Sequence, residues 1–277
     1  MASRLTFREK CPEICWQRQI RDKYLPEGSP NTGIGLGEAK VRAISRSLAK
    51  QIIFKYEWLG TMSSSSAHYG IFFDMHCAGA VCIAIGTGTG CPNTHMPFGI
   101  KRSELAILTR GACVHWAPSG ANSKLVSYSV KLAAREYPIK LILAYSDSDA
   151  GEIGTIYQAC NWVYIGKTAT SDTEIISPTG RVYHRRIITE YARQNSISNA
   201  KMRKFMIESG WRYQKYNPKG RYVFVLDKSD KDLIDRVESM CKPYPKRNNG
   251  GSSDLADTSG VHLGKGGSIP TLPLQVS

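Results

Sequence analysis

Asp147 follows directly on the apolar run 139–145, and Asp149 and Glu152 share the polar loop that comes next. A carboxylate at the end of a buried strand stands where ligands gather in α/β sheets, and it can take a proton from a weak nucleophile. The plainer role for Asp147 is to cap its own loop. Arg110 closes another apolar run, 104–109, and its planar fork can grip a phosphate or a carboxylate; a surface salt bridge is the plainer alternative. Ser119, Gly120, Ala121, Asn122 and Ser123 stand where a helix should begin, and free amides there favour an anion such as a cofactor phosphate. N-capping by Ser119 or Asn122 would account for the same residues. Tyr157 can stack on a flat ring or donate a hydrogen bond to a departing group, or it can pack a core.

The sulfur and imidazole groups carry less. Cys11 and Cys15 are spaced Cys-x3-Cys, Cys91 and His95 are spaced Cys-x3-His, and Cys113 and His115 are closer still. No second pair completes a zinc site, so these thiols are expected to be buried and reduced, and no metal ligand is assigned. His76, His95 and His115 could join Cys77, Cys91 or Cys113 around a metal, which the spacing does not establish.

The elements that must position these groups can be traced in the hydrophobic pattern. Val41, Ile44, Leu48 and Ile52 recur at helical spacing, which predicts an amphipathic helix from 40 to about Tyr56. The runs 69–73 and 79–85 read as a hairpin whose turn includes Asp74 and Gly79. Strand 104–109, a helix built on Leu125, Tyr128 and Leu132 that Pro138 stops, and strand 139–145 come next. A short helical turn at 155–160, a strand at 162–165, a strand at 221–226 and a helix at 229–241 capped by Ser229 complete the core.

The chain has 277 residues, 42% hydrophobic and 22% charged, with a net charge of +14. That composition excludes disorder throughout and points to one elaborated core. No apolar run approaches the ~18 residues of a membrane span, and the first residues lack the apolar stretch of a signal peptide, so a cytoplasmic protein with no membrane partner is expected. Between Arg181 and Arg221 stand eleven Lys or Arg against two acidic residues, so nine of the fourteen net charges fall in this stretch. Arg181, Arg185, Arg186, Lys201, Arg203, Lys204 and Arg212 are the candidate phosphate contacts, with a basic helix at 199–209. Tyr183, Tyr191, Trp211, Tyr213 and Tyr216 are interleaved with them as candidate stacking groups for a nucleic acid, or else as core. The expected organisation is an N-terminal segment 1–39, a catalytic domain 40–247 with a basic insert 171–220, and a Gly- and Ser-rich disordered tail 248–277.

The element order resembles the GNAT fold of N-acyltransferases, an α/β core with a mixed central sheet flanked by helices. Three segments are similar to the bacteriophage Mom family of DNA-modifying proteins: 56–62 (Tyr-Glu-Trp-Leu-Gly-Thr-Met), 108–110 (Leu-Thr-Arg), and 144–147 (Ala-Tyr-Ser-Asp) running into 154–166 (Gly-Thr-Ile-Tyr-Gln-Ala-Cys-Asn-Trp-Val-Tyr-Ile-Gly). The resemblance spans roughly 40–245. It implies a phage or prophage DNA-modifying transferase that places a carbamoylmethyl-type group on the exocyclic amine of adenine in double-stranded DNA and so blocks host restriction. It puts Asp147 at the family's acidic position, Arg110 at its Arg, and Ser123 nearest its Ser. Tyr56 or Trp58 would then line the cofactor cleft, which the first helix borders in this fold. Where family members often carry His, this chain has Glu152, and the loop after Arg110 departs from the Gly-rich pyrophosphate signature of ordinary acetyltransferases. An acyl-CoA or related small-molecule donor and iron therefore both stay open. The alternatives are an ordinary GNAT acetyltransferase acting on a small amine or protein, and a non-catalytic DNA-binding protein on the same scaffold.

Overall fold

The computed structural model describes residues 35–57, 61–86, 93–148, 152–168, 173–180, 182–184, 186–215 and 217–246. These form two compact units, one of residues 35–172 with 215–246 and one of residues 173–214. The expected tail 248–277 lies outside the described residues, as does most of the expected N-terminal segment.

The first unit opens with β1 (Lys40–Ala43), antiparallel to β2 (Ala67–Phe73), and then helix α1 (Arg46–Tyr56). The expected helix from 40 is thus a strand followed by a helix. Lys40, Val41 and Arg42 alternate charged and apolar at period 2, and the Ser45 side chain accepts from Leu48 N, which starts the helix there. Ala49, Ile52, Ile53 and Tyr56 are buried on one face of α1. β2 and β3 (His76–Ile85) form the expected hairpin, but the turn is Asp74 and Met75, with Asp74 at φ 53°. Gly79 belongs to β3, where a Cβ would come 2.6 Å from Cys113 Sγ; the glycine serves close approach rather than turning.

β4 (Leu105–Cys113) pairs with β3 and runs parallel to β5 (Leu141–Ser146) only over Leu105–Leu108 against Leu141–Ala144. The β3–β4 register shifts between Cys82 and Ile83, so Thr109 occupies a bulge and β4 parts from β5 beyond it. Helix α2 (Ala121–Glu136) joins these strands and ends at Tyr137, before Pro138. The short helix α3 (Thr155–Ala159) leads to β6 (Val163–Lys167). After the second unit the chain returns as β10 (Gly220–Val225), antiparallel to both β5 and β6, and ends in α6 (Lys231–Ser239). The seven-stranded order is β1-β2-β3-β4-β5-β10-β6, mixed because of the parallel β4–β5 pair. Asp230, not Ser229, caps α6 by accepting from Leu233 N, and Ser229 instead donates to Asp227. The Lys140 ammonium, 2.8 Å away, reinforces the cap.

The second unit contains β7 (Thr173–Ile176), β8 (Val182–His184), α4 (Arg186–Gln194), α5 (Asn199–Glu208) and β9 (Arg212–Lys215), with sheet order β8-β7-β9. Only α5 was expected here. The unit has its own core of Ile175, Ile188, Ala192, Met202, Met206 and Trp211.

Candidate active site

The parting of β4 and β5 opens a cleft through the middle of the sheet. On its β4 side the Thr109 hydroxyl donates to Cys82 O and shares a 2.6 Å hydrogen bond with Ser63. Arg110 then turns its guanidinium onto the protein. Nε donates to Thr61 O at 2.7 Å, one terminal nitrogen to Thr61 Oγ1 and the other to Thr109 O. The buried Glu57 carboxylate lies 3.9 Å from Nε. Arg110 therefore ties the end of α1 and the segment after it to the cleft wall. Glu57 and Thr61 were not singled out as site residues, although both lie in the 56–62 segment quoted for the family resemblance.

On the β5 side, Asp147 pairs with Lys219 at 3.1 Å. The Glu152 carboxylate accepts from Asp147 N, and Glu152 N donates to Asp147 O, so the two ends of the polar loop are tied together. Asp149 lies outside the described residues. The loop is held from below by Tyr222, whose hydroxyl donates to Ile153 O and accepts from Gln158. Gly154, at φ 74°, lies against the Tyr222 ring, where a Cβ would come 2.3 Å from it.

Tyr157 projects from α3 against Trp162 and Tyr222, with ring centroids at 5.1 and 5.3 Å. Burial, then the charges of Glu152 and Glu57, push its phenol well above the ordinary tyrosine range, so it stays protonated. Its ring is thus part of the core packing. Tyr56 is buried and stacks on His115 at 5.9 Å, while Trp58 is outside the described residues.

At the start of α2, Gly120 is the N-cap at φ 87° and no side chain caps the helix, so neither Ser119 nor Asn122 does so. Ala121 N donates to Pro118 O at 3.1 Å, no side chain takes the amides that follow it, and Ser119 and Gly120 are exposed. Lys124 Nζ donates to the carbonyls of Leu36 and Gly37, so the preceding turn borders this helix end. Ser123 offers its carbonyl to Cys160 at the end of α3. A helix start with no side-chain cap suits an anionic group such as a phosphate. Among the described residues iron finds no such fit. Among the described residues no three of His, Cys, Asp and Glu converge, and burial pushes the Cys113 thiol up to about 12 and Cys82 to about 11. Cys11, Cys15 and Cys91 lie outside the described residues.

In the second unit Lys201, Arg203, Lys204 and Arg212 are exposed, and Lys204 pairs with Glu208 only at 3.9 Å on the surface. Arg186 begins α4; Arg181 and Arg185 are outside the described residues. Four of the interleaved aromatics pack on the unit's own core instead, and Tyr216 lies outside the described residues. Trp211 is buried, with Tyr183 at 5.3 Å and Tyr191 at 6.3 Å, and Tyr213 packs on the same core. They hold the unit together while its cations face solvent.

The strand order with its parting parallel pair is that of a GNAT-like α/β fold. Solved structures superpose loosely: an N-acyl amino acid synthase from uncultured soil microbes (14% identity, TM-score 0.40, 69% of this chain and 92% of that one) and the spermidine N-acetyltransferase of Vibrio cholerae bound to CoA and spermine (8%, 0.39, 72% and 99%). Nothing about donor or substrate follows from likeness at that level. In sequence the chain is 25% identical over 221 residues to the methylcarbamoylase Mom of Escherichia phage Mu, covering 77% of this chain and 86% of that protein. The profile of the Mom protein family matches residues 38–246, both units included, and the chain belongs to that family.

Proposed function

We propose that this protein is a transferase that places a carbamoylmethyl-type group on the exocyclic amine of adenine in double-stranded DNA, protecting phage DNA from restriction inside the host cytoplasm. The observation that carries this is the family match across residues 38–246, which takes in the cleft and the basic unit together. The amine of adenine is a weak nucleophile because its lone pair is delocalised into the ring. Asp147, at the end of β5, takes its proton as the new nitrogen–carbon bond forms. The bond to the donor's leaving group breaks, and the Tyr157 phenol donates to the charge that develops there. The donor carries the methylene carbon of that group on a leaving group, since an acyl thioester would deliver a carbonyl carbon instead, and the helix start at Gly120 and Asn122 holds a phosphate on that donor. Arg110 keeps Glu57 and Thr61 in place around the cleft. Lys201, Arg203, Lys204 and Arg212 contact DNA phosphates without reading sequence. The test is mass spectrometry of nucleosides from DNA of a host that expresses the protein. A mass-shifted deoxyadenosine and DNA resistant to restriction are expected; an unaltered profile from abundant folded protein would overturn the proposal.

A further inference from the structure

A base inside a duplex hides its amine in pairing and cannot reach the half-buried Asp147 carboxylate, so the reaction needs room for one whole nucleotide outside the stack. On the sheet face that carries Leu143 and Tyr145, a cavity of about 420 Å³ opens between β5, β6 and β10. The β5–β10 register sets Arg221 directly across from Tyr145, so the two side chains stand on one face as neighbours. One terminal nitrogen of Arg221 donates to Ile165 O at 3.1 Å. Its Nε is buried with no hydrogen-bond partner among the described residues. Lys242 supplies a second cation. It lies across Gly166, where a Cβ would come 3.1 Å from its side chain, and its backbone is tied to Tyr164 O. Phe98, Ile165 and Met240 add apolar surface, Thr94 and Thr168 add hydroxyls, and among the described residues no Asp or Glu lines it.

Two cations on an aromatic and apolar wall suit a flat ring that carries one anionic group. The volume is sufficient for one nucleotide. The cavity also adjoins the proposed proton acceptor. Thr168, in its wall, exchanges two hydrogen bonds with Lys219, and the Lys219 ammonium meets Asp147.

We infer that this cavity receives an adenine nucleotide swung out of the DNA, with its phosphate on Arg221 and Lys242 and its base against Tyr145 and Phe98. The assignment of DNA as the source rests on the proposed function. An acyl-CoA donor also contains an adenine nucleotide, and the experiment separates the two.

The full chain is titrated with dAMP, with deoxyadenosine and with CoA. dAMP binds about tenfold or more tightly than deoxyadenosine, the worth of one charge-assisted hydrogen bond. Lys242→Gln and Arg221→Gln, each checked by thermal melting, remove that difference, and Lys131→Gln, at an exposed lysine of α2 outside the cavity lining, keeps it. Equal binding of dAMP and deoxyadenosine, an unaltered difference in both cavity variants, or competitive displacement of dAMP by CoA would each overturn the inference. Lys242 is exposed, so its variant keeps the test open if Arg221→Gln fails to fold. Coexpression tells the two levels apart. If wild-type protein leaves DNA unmarked while the dAMP difference holds, the proposed reaction fails and the cavity assignment survives. If both cavity variants mark DNA at the wild-type level, the cavity assignment fails and the reaction survives.

Discussion

Lys219 holds its ammonium 3.1 Å from a carboxylate oxygen of Asp147. The two are 72 positions apart, and they meet because Ser146 and Gly220, their chain neighbours, are register partners in the β5–β10 ladder. The pair orients Asp147 at the mouth of the cleft. Asp147→Asn removes the proposed proton acceptor and is expected to lower modified deoxyadenosine by about 10²- to 10⁴-fold, with the melting curve preserved. Lys219→Gln leaves the carboxylate in place but loosens it, so a smaller loss is expected. Wild-type levels of modified nucleoside from Asp147→Asn would remove Asp147 from the chemistry.

Arg110 spends its donors on Thr61 and Thr109, which makes it a positioning residue. Arg110→Lys cannot reproduce three hydrogen bonds from one planar fork, and a destabilisation of about 1–3 kcal/mol is expected. Thermal unfolding measures it, and titration with CoA should show little change in donor affinity. A large loss of donor affinity with normal stability would instead place Arg110 on the donor.

Gly154 combines a left-handed backbone with contact against Tyr222. Gly154→Ala costs about 1–2 kcal/mol from the backbone alone, plus displacement of the ring. The loop carrying Glu152 should shift and activity should fall. Tyr222→Phe removes only the hydroxyl and should be milder in both melting temperature and nucleoside yield.

In the second unit, Lys201→Glu, Arg203→Glu and Lys204→Glu together should weaken duplex binding and flatten its salt dependence, by about 0.9 in log–log slope for each DNA phosphate no longer neutralised. The melting curve should change little, since these side chains are exposed. Trp211→Ala should behave oppositely, destabilising the unit by about 3–5 kcal/mol through loss of its core. Retained affinity in the triple variant would place the DNA elsewhere.

The Lys140 ammonium beside Asp230, and then the Leu233 amide, hold the Asp230 carboxyl below the usual carboxylate range. A carboxyl lowered in the folded state contributes fully above the unfolded value of about 4 and loses that contribution as pH falls through the folded one. Asp230→Ala should therefore lower the melting temperature at neutral pH, and the gap to wild type should narrow below about pH 4. Ser229→Ala should cost less at either pH, because Ser229 does not cap α6.

The alternation and spacing of apolar residues made most of the core legible, since burial on one face imposes the same period on any strand or helix. Lys40 to Ala43 escaped because Val41 and Ile44 also fit a helical period, and only pairing with β2 shows which period operates. The cap of α6 was misplaced by one residue because Ser229 and Asp230 are both good caps, and Lys140, 90 positions away, favours the aspartate. The second unit was legible as charge but not as a fold. Its aromatics looked like stacking groups because composition does not say whether a ring faces water or its own core.

By itself, the sequence determined the family, the order of the core elements and the concentration of positive charge, because these are written in local pattern and composition. The tertiary structure alone decided which groups meet. Glu57 lies beside Arg110, Lys219 beside Asp147, and Arg221 faces Tyr145, since each contact depends on strand register and on the parting of β4 from β5. Register is set by burial and hydrogen bonding summed over whole strands, and no single residue's neighbours in the chain contain that sum.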